Sequence, residues 1–194
     1  LTMRIVKLLT LVTVVATPLA AQRFEGTVDA VTKGGSQDSK MELFVKGDRI
    51  AAKLDMPAGR GPASGKEGRM IIDWPPMTMT ILIPMEMGGA KGMKMVTDMR
   101  KAAADAGPPP TIRPLGTSEV IAGYKCENML VSNKKGSTTV CMSDQLGHFG
   151  IPSGGPMGAG NFSQVEQFLM AHPGFPLRVT ENDGKVSFEV TKVM

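Results

Sequence analysis

Leu115-Gly-Thr-Ser-Glu-Val-Ile-Ala-Gly-Tyr-Lys-Cys-Glu-Asn-Met-Leu-Val-Ser132, then Asn133-Lys-Lys-Gly136, then Ser137-Thr-Thr-Val-Cys-Met142 reads as strand, glycine turn, strand, polar turn, strand. The only two cysteines of the chain, Cys126 and Cys141, fall on the second and third of these strands. Folding at Asn133–Gly136 brings them nearly opposite each other. The stretch is therefore expected to form a disulfide-pinned β-meander at the centre of an antiparallel sheet. A C-x-x-C redox pair is absent, and no histidine stands near either cysteine in sequence.

The N-terminus sets the compartment. Arg4 and Lys7 precede an apolar run, Leu8 to Val15, followed by Ala16, Pro18, Ala20 and Ala21. Basic, apolar and small-residue regions in that order are the pattern of a secretory signal peptide. The run is too short for a permanent membrane anchor. Residues 1–21 are expected to be removed near Ala21, leaving residues 22–194 as a single periplasmic domain. An oxidising compartment makes a disulfide the simplest fate of the two cysteines.

Bulk composition excludes several function classes. Hydrophobic residues make up 42% of 194, enough for a packed core. Removing Arg4 and Lys7 from the 22 basic residues leaves 20 against 18 acidic ones. That balance, with no basic cluster on any one element, argues against nucleic acid as a partner. No Gly-x-Ser-x-Gly, His-Glu-x-x-His or phosphate-cradling glycine loop is present. His148 lies at a loop entrance, and His172 precedes Pro173 at a helix end, where a structural role is expected of each. The sequence thus points to a non-enzyme without cofactors.

Elsewhere, alternation marks strands over Phe24–Thr32, Met41–Lys46, Arg49–Leu54, Arg69–Trp74, Leu177–Glu181 and Lys185–Lys192. Asn182-Asp183-Gly184 is a hairpin turn. Thr97 or Asp98 is expected to cap a short helix reaching Ala106. A second helix should follow the capping box Ser163–Glu166 and run to His172. About ten strands and two short helices result.

The most unusual feature is a methionine stripe. Met77, Met79, Ile81, Ile83, Met85 and Met87 fall on one face of an extended chain, with Met93 and Met95 continuing the theme. Three readings stand. Methionine fills irregular core space. A flexible, polarizable Met-lined face can also adapt to acyl chains. Third, the Met-x-Met pairs Met77/Met79, Met85/Met87 and Met93/Met95 offer soft thioethers to Cu(I) or Ag(I), with Trp74 close enough to lie over the ion. No histidine neighbours these pairs in sequence.

Gly116-Thr-Ser-Glu-Val-Ile-Ala-Gly-Tyr-Lys-Cys126, with the second cysteine after a hairpin, resembles an uncharacterised family of exported bacterial proteins known as a domain of unknown function. In element order the mature chain also resembles the outer-membrane lipoprotein-carrier fold. That likeness implies a strongly curved antiparallel sheet, a half-open barrel with short helices over its concave face, and binding of lipid or acyl chains. The expected function is a periplasmic protein binding a hydrophobic small molecule or lipid. The residues implicated are Met77, Met79, Ile81, Ile83, Met85 and Met87, with Phe168 and Leu169 on a covering helix. The competing readings are Cu(I)/Ag(I) binding through Met77, Met79, Met85, Met87, Met93 and Met95, and an interaction or sensor module with an envelope protein partner.

Overall fold

The computed structural model describes residues 24–33, 38–55, 67–74, 76–84, 92–105, 107–134, 136–149 and 164–194. The signal-peptide reading, Met85 and Met87 lie outside these residues. The elements are β1 (Glu25–Thr32), β2 (Ser39–Lys46), β3 (Arg49–Asp55), β4 (Glu67–Asp73), β5 (Thr78–Ile83), β6 (Met93–Asp98), α1 (Met99–Asp105), β7 (Thr111–Ile121), β8 (Tyr124–Asn133), β9 (Gly136–Ser143), α2 (Gln164–Ala171), β10 (Phe175–Glu181) and β11 (Val186–Val193). All strands join one antiparallel sheet in the order β6-β5-β4-β3-β2-β1-β11-β10-β9-β8-β7.

Two meanders meet in this order. β1 to β6 walk outward one way and β11 back to β7 the other, and only β1 with β11 joins them. Chain ends zip at that seam: the Thr27 amide donates to the Met194 carbonyl and the Met194 amide to the Thr27 carbonyl, both at 2.9 Å. Gly26 is required there, because the Met194 carbonyl oxygen occupies the space a Cβ would take. The disulfide meander, expected at the centre, is instead the β7–β9 end of the sheet. Hairpin signals are local, whereas the seam pairs residues from opposite ends of the chain.

The sheet is open but cannot be flat. Eleven strands at ~4.8 Å spacing would put β6 and β7 about 48 Å apart. Those two edges are joined by α1 and the residues up to Pro110 alone. At helical and extended rises that connector reaches at most about 35 Å. The sheet must therefore curl. Ring contacts across distant strands agree: Phe24, before β1, meets Tyr124 of β8 at 6.5 Å, and Trp74, after β4, meets His148, after β9, at 5.5 Å.

The core lines one face. Val28, Leu43, Ile50, Ile72, Val131, Val140, Leu177 and Val190 alternate with more exposed neighbours and belong to one cluster that includes Phe168 and Leu169 of α2. Phe149 anchors the segment after β9 against this face, through Phe175 at 4.4 Å, Phe188 at 5.9 Å and a hydrogen bond from its amide to the Gly174 carbonyl. Asp98 caps α1, accepting from the Arg100 and Lys101 amides at 2.9 and 3.2 Å.

Cys126 and Cys141 are bonded, with Cα atoms 5.3 Å apart. Register pairs Cys141 with Asn128, so the bridge runs diagonally between β8 and β9. It closes a separation of 15 residues. Loss of the bond in a Cys126→Ala/Cys141→Ala variant is expected to cost about 3 kcal/mol. Denaturant unfolding of the oxidised protein and this variant measures it, and equal midpoints would contradict the assignment.

Candidate functional site

The methionine stripe is part of the core face. Met79, Ile81 and Ile83 are 4%, 3% and 8% exposed. Register places Met79 beside Ile72, and Ile81 between Met70 and Met95. Met77 is half-buried and Met95 packs against the cluster. Phe168 and Leu169 are buried in the same cluster, but the main sheet contact of α2 is β8, at the far end from the stripe. The sheet therefore unites the predicted hydrophobic residues in one layer, without setting the helix directly over the methionines.

This layer meets solvent at the far ends of β4 and β5. Ile83 and its cross-strand partner Met93 line a pocket of about 410 Å³ together with Leu82, Pro84, Arg69 and Lys94. Met93 is 39% exposed. Register sets Arg69, Leu82 and Lys94 side by side on successive strands, and alternation turns them to the face opposite Ile81 and Ile83, so the pocket draws its two cations, together with Glu67, from the other side of the sheet. Glu67 lies 3.9 Å from Arg69, both largely exposed. β6, the edge strand beyond, was not foreseen as a strand.

At the opposite, turn end of the same hairpin, Trp74 is buried, its indole Nε1 has no partner among the described residues, and its ring meets His148. Asp73, a candidate turn acid, is paired with Arg49. His172 has the structural role expected of it: its ring stacks on Phe168 at 4.8 Å, and its Nδ1 lies 3.2 Å from the Phe168 carbonyl oxygen.

A polar layer covers the disulfide on the face opposite Val140 and Val179. Arg178 pairs in register with Cys141 and Glu189, and Glu119 with Cys126. Arg178 donates to Glu119 and, at 2.9 Å, to Glu189. Asn128 donates to Glu119 and to Thr117, each at 3.1 Å. Hydrogen bonding to Glu189, with a further contribution from the charge of Glu119, raises the Arg178 pKa above the ordinary arginine value against the opposing effect of burial. Among the described residues, no group of three or more His, Cys, Asp or Glu could hold a metal ion, and no helix is long and apolar enough to cross a membrane.

A family model matches residues 24–194, the whole of the described sheet. The chain belongs to the DUF4412 family, a domain of unknown function. The fold of this DUF4412 chain is similar to that of PNGF-II in a C2 crystal, with a TM-score of 0.53 at 13% identity over 87% of this chain. PNGF-II in a P21 crystal aligns with a TM-score of 0.49 at 13% identity, over 88% of this chain and 28% of that one. The likeness is one of fold, and the chain spans only 27% of the first PNGF-II chain. No curated protein matches it in sequence.

Burial separates the stripe into packing and rim residues. Met79→Ala is expected to lower stability by about 2–5 kcal/mol, and Met93→Ala by less than about 0.5 kcal/mol. Urea unfolding of both variants measures the contrast; equal losses would contradict the placement of the stripe.

Proposed function

We propose that this DUF4412 chain is an exported, periplasmic, non-enzymatic protein that binds a lipid or acyl chain in the apolar layer of its curled sheet, in the manner of the lipoprotein-carrier fold. The observation that carries the reading is the pocket at the ends of β4, β5 and β6. There the buried Ile83 and its exposed partner Met93 line a pocket whose rim also carries Arg69 and Lys94 from the other face of the sheet, with Glu67 beside Arg69. An acyl chain would extend the layer past Ile83, and the two cations would meet an anionic head group. Burying the tail supplies the driving force, at roughly 25 cal/mol per Å2 of apolar surface. Methionine suits the wall because its side chain reshapes at little cost around tails of different form.

Displacement of a fluorescent fatty acid tests this. The oxidised protein is expected to bind it. Met93→Asp should weaken binding by at least about tenfold, since a carboxylate would stand in the mouth without unfolding the sheet. Arg69→Ala/Lys94→Ala should weaken a fatty acid more than the corresponding long-chain alcohol. Binding unaltered by Met93→Asp, or no binding at all, would overturn the reading.

A further inference from the structure

We propose that the turn end of the β4–β5 hairpin is a soft-metal site. It would take Cu(I) or Ag(I) on the thioethers of Met77 and Met79 and the imidazole of His148, with the indole of Trp74 lying against the ion. Sequence order hides this grouping, because His148 follows β9, six strands away in the sheet. Curling of the sheet brings its ring to within 5.5 Å of Trp74. Phe149 holds the histidine-bearing segment in place by donating its amide hydrogen bond to the Gly174 carbonyl and by its contacts with Phe175 and Phe188.

Register supplies the other ligands. Ile72 pairs with Met79, and Asp73 with Thr78, so Trp74 and Met77 face each other across the turn. The Met77 amide donates to the Trp74 carbonyl at 2.9 Å. Met77 ends the turn, and Met79, two residues on, is the first buried residue of β5.

Three observations set this cluster apart from the rest of the stripe. Met77 has a φ of 50°, a left-handed conformation that a non-glycine side chain adopts only where its surroundings enforce it. The Met99 amide secures it by donating to the Met77 carbonyl at 2.9 Å. Among the described residues Trp74 Nε1 is buried without a partner, an unusual cost for an indole that would ordinarily turn this group towards an acceptor. Finally, the cluster is accessible: Met77 is half-buried and His148 is exposed, unlike Met79.

Two thioethers and a neutral imidazole form an uncharged, soft donor set. Such a set favours a monovalent d10 ion over Ca2+, Mg2+ or Zn2+. The face of an indole adds attraction for a desolvated cation. This site lies at the other end of the hairpin from the pocket lined by Ile83 and Met93, so it stands or falls separately from acyl-chain binding.

The chain has one tryptophan, so its emission reports on Trp74 alone. The oxidised full chain is titrated with silver nitrate, and anaerobically with Cu(I) against bicinchoninate. Saturable quenching at one ion per chain is expected. Met77→Leu/Met79→Leu keeps core volume and should weaken binding by at least about tenfold. His148→Phe retains a ring against Trp74 at an exposed position and should weaken it by a similar factor, which decides the matter if the double variant fails to fold. Met129→Leu, on β8, should leave the titration unchanged. Absence of quenching, or equal affinity in the wild type and His148→Phe, would overturn the proposal.

Discussion

The pairing of β1 with β11 is the contact on which the other placements depend. It is the only junction between two meanders, and it joins the two ends of the described chain. Without it each half would be a separate sheet with two free edges. With it, the short β6–α1–β7 connector becomes a constraint: edges that would lie about 48 Å apart in a flat sheet must be drawn together. Curvature here follows from the number of strands, the order in which they pair and the length of one connection. The contacts between Phe24 and Tyr124 and between Trp74 and His148 are consequences of that closure.

The same geometry divides the chemistry of the sheet between its faces. Alternation sends Val140, Val179 and Phe188 into the apolar layer, and Cys141, Arg178 and Glu189 to the other side. The disulfide therefore lies beneath a polar layer, where Arg178 is shared by Glu119 and Glu189. Because each of its charges has an opposite, hydrogen-bonded partner, this layer can cover the bridge without the penalty of an isolated buried ion. It ties β7, the edge strand, to β10 and β11. The apolar layer on the other face is left for packing and, in our reading, for a ligand.

Local structure was legible in the sequence to a large extent. Gly47-Asp48, Asn133–Gly136 and Asn182–Gly184 mark hairpins that form, and Asp98 caps its helix as its residue type suggests. The disulfide was expected from the hairpin spacing of the two cysteines and from the export that the N-terminal pattern suggests. β6 escaped because its exposed edge gives no clean apolar alternation: Val96 is 60% exposed, while Met95 packs inward. The strand read from Leu115 starts earlier, at Thr111, because β7 is an edge strand and so tolerates Pro114. Strand order was not legible, because the seam is set by pairing between residues far apart in sequence. The methionine stripe could be placed on one face, and core packing was one of its three readings, but alternation alone could not choose among them. For the same reason, His148 could not be assigned to Trp74 until the sheet had closed.

The central claim is that the curled sheet carries a hydrophobic ligand in its apolar layer. Native mass spectrometry of the oxidised protein, purified without detergent, tests it most directly. The account predicts a population heavier than the polypeptide by the mass of a lipid or fatty acid, released on denaturation. A polypeptide of bare mass, two hydrogens lighter than the reduced chain and unchanged by added fatty acid, would contradict it.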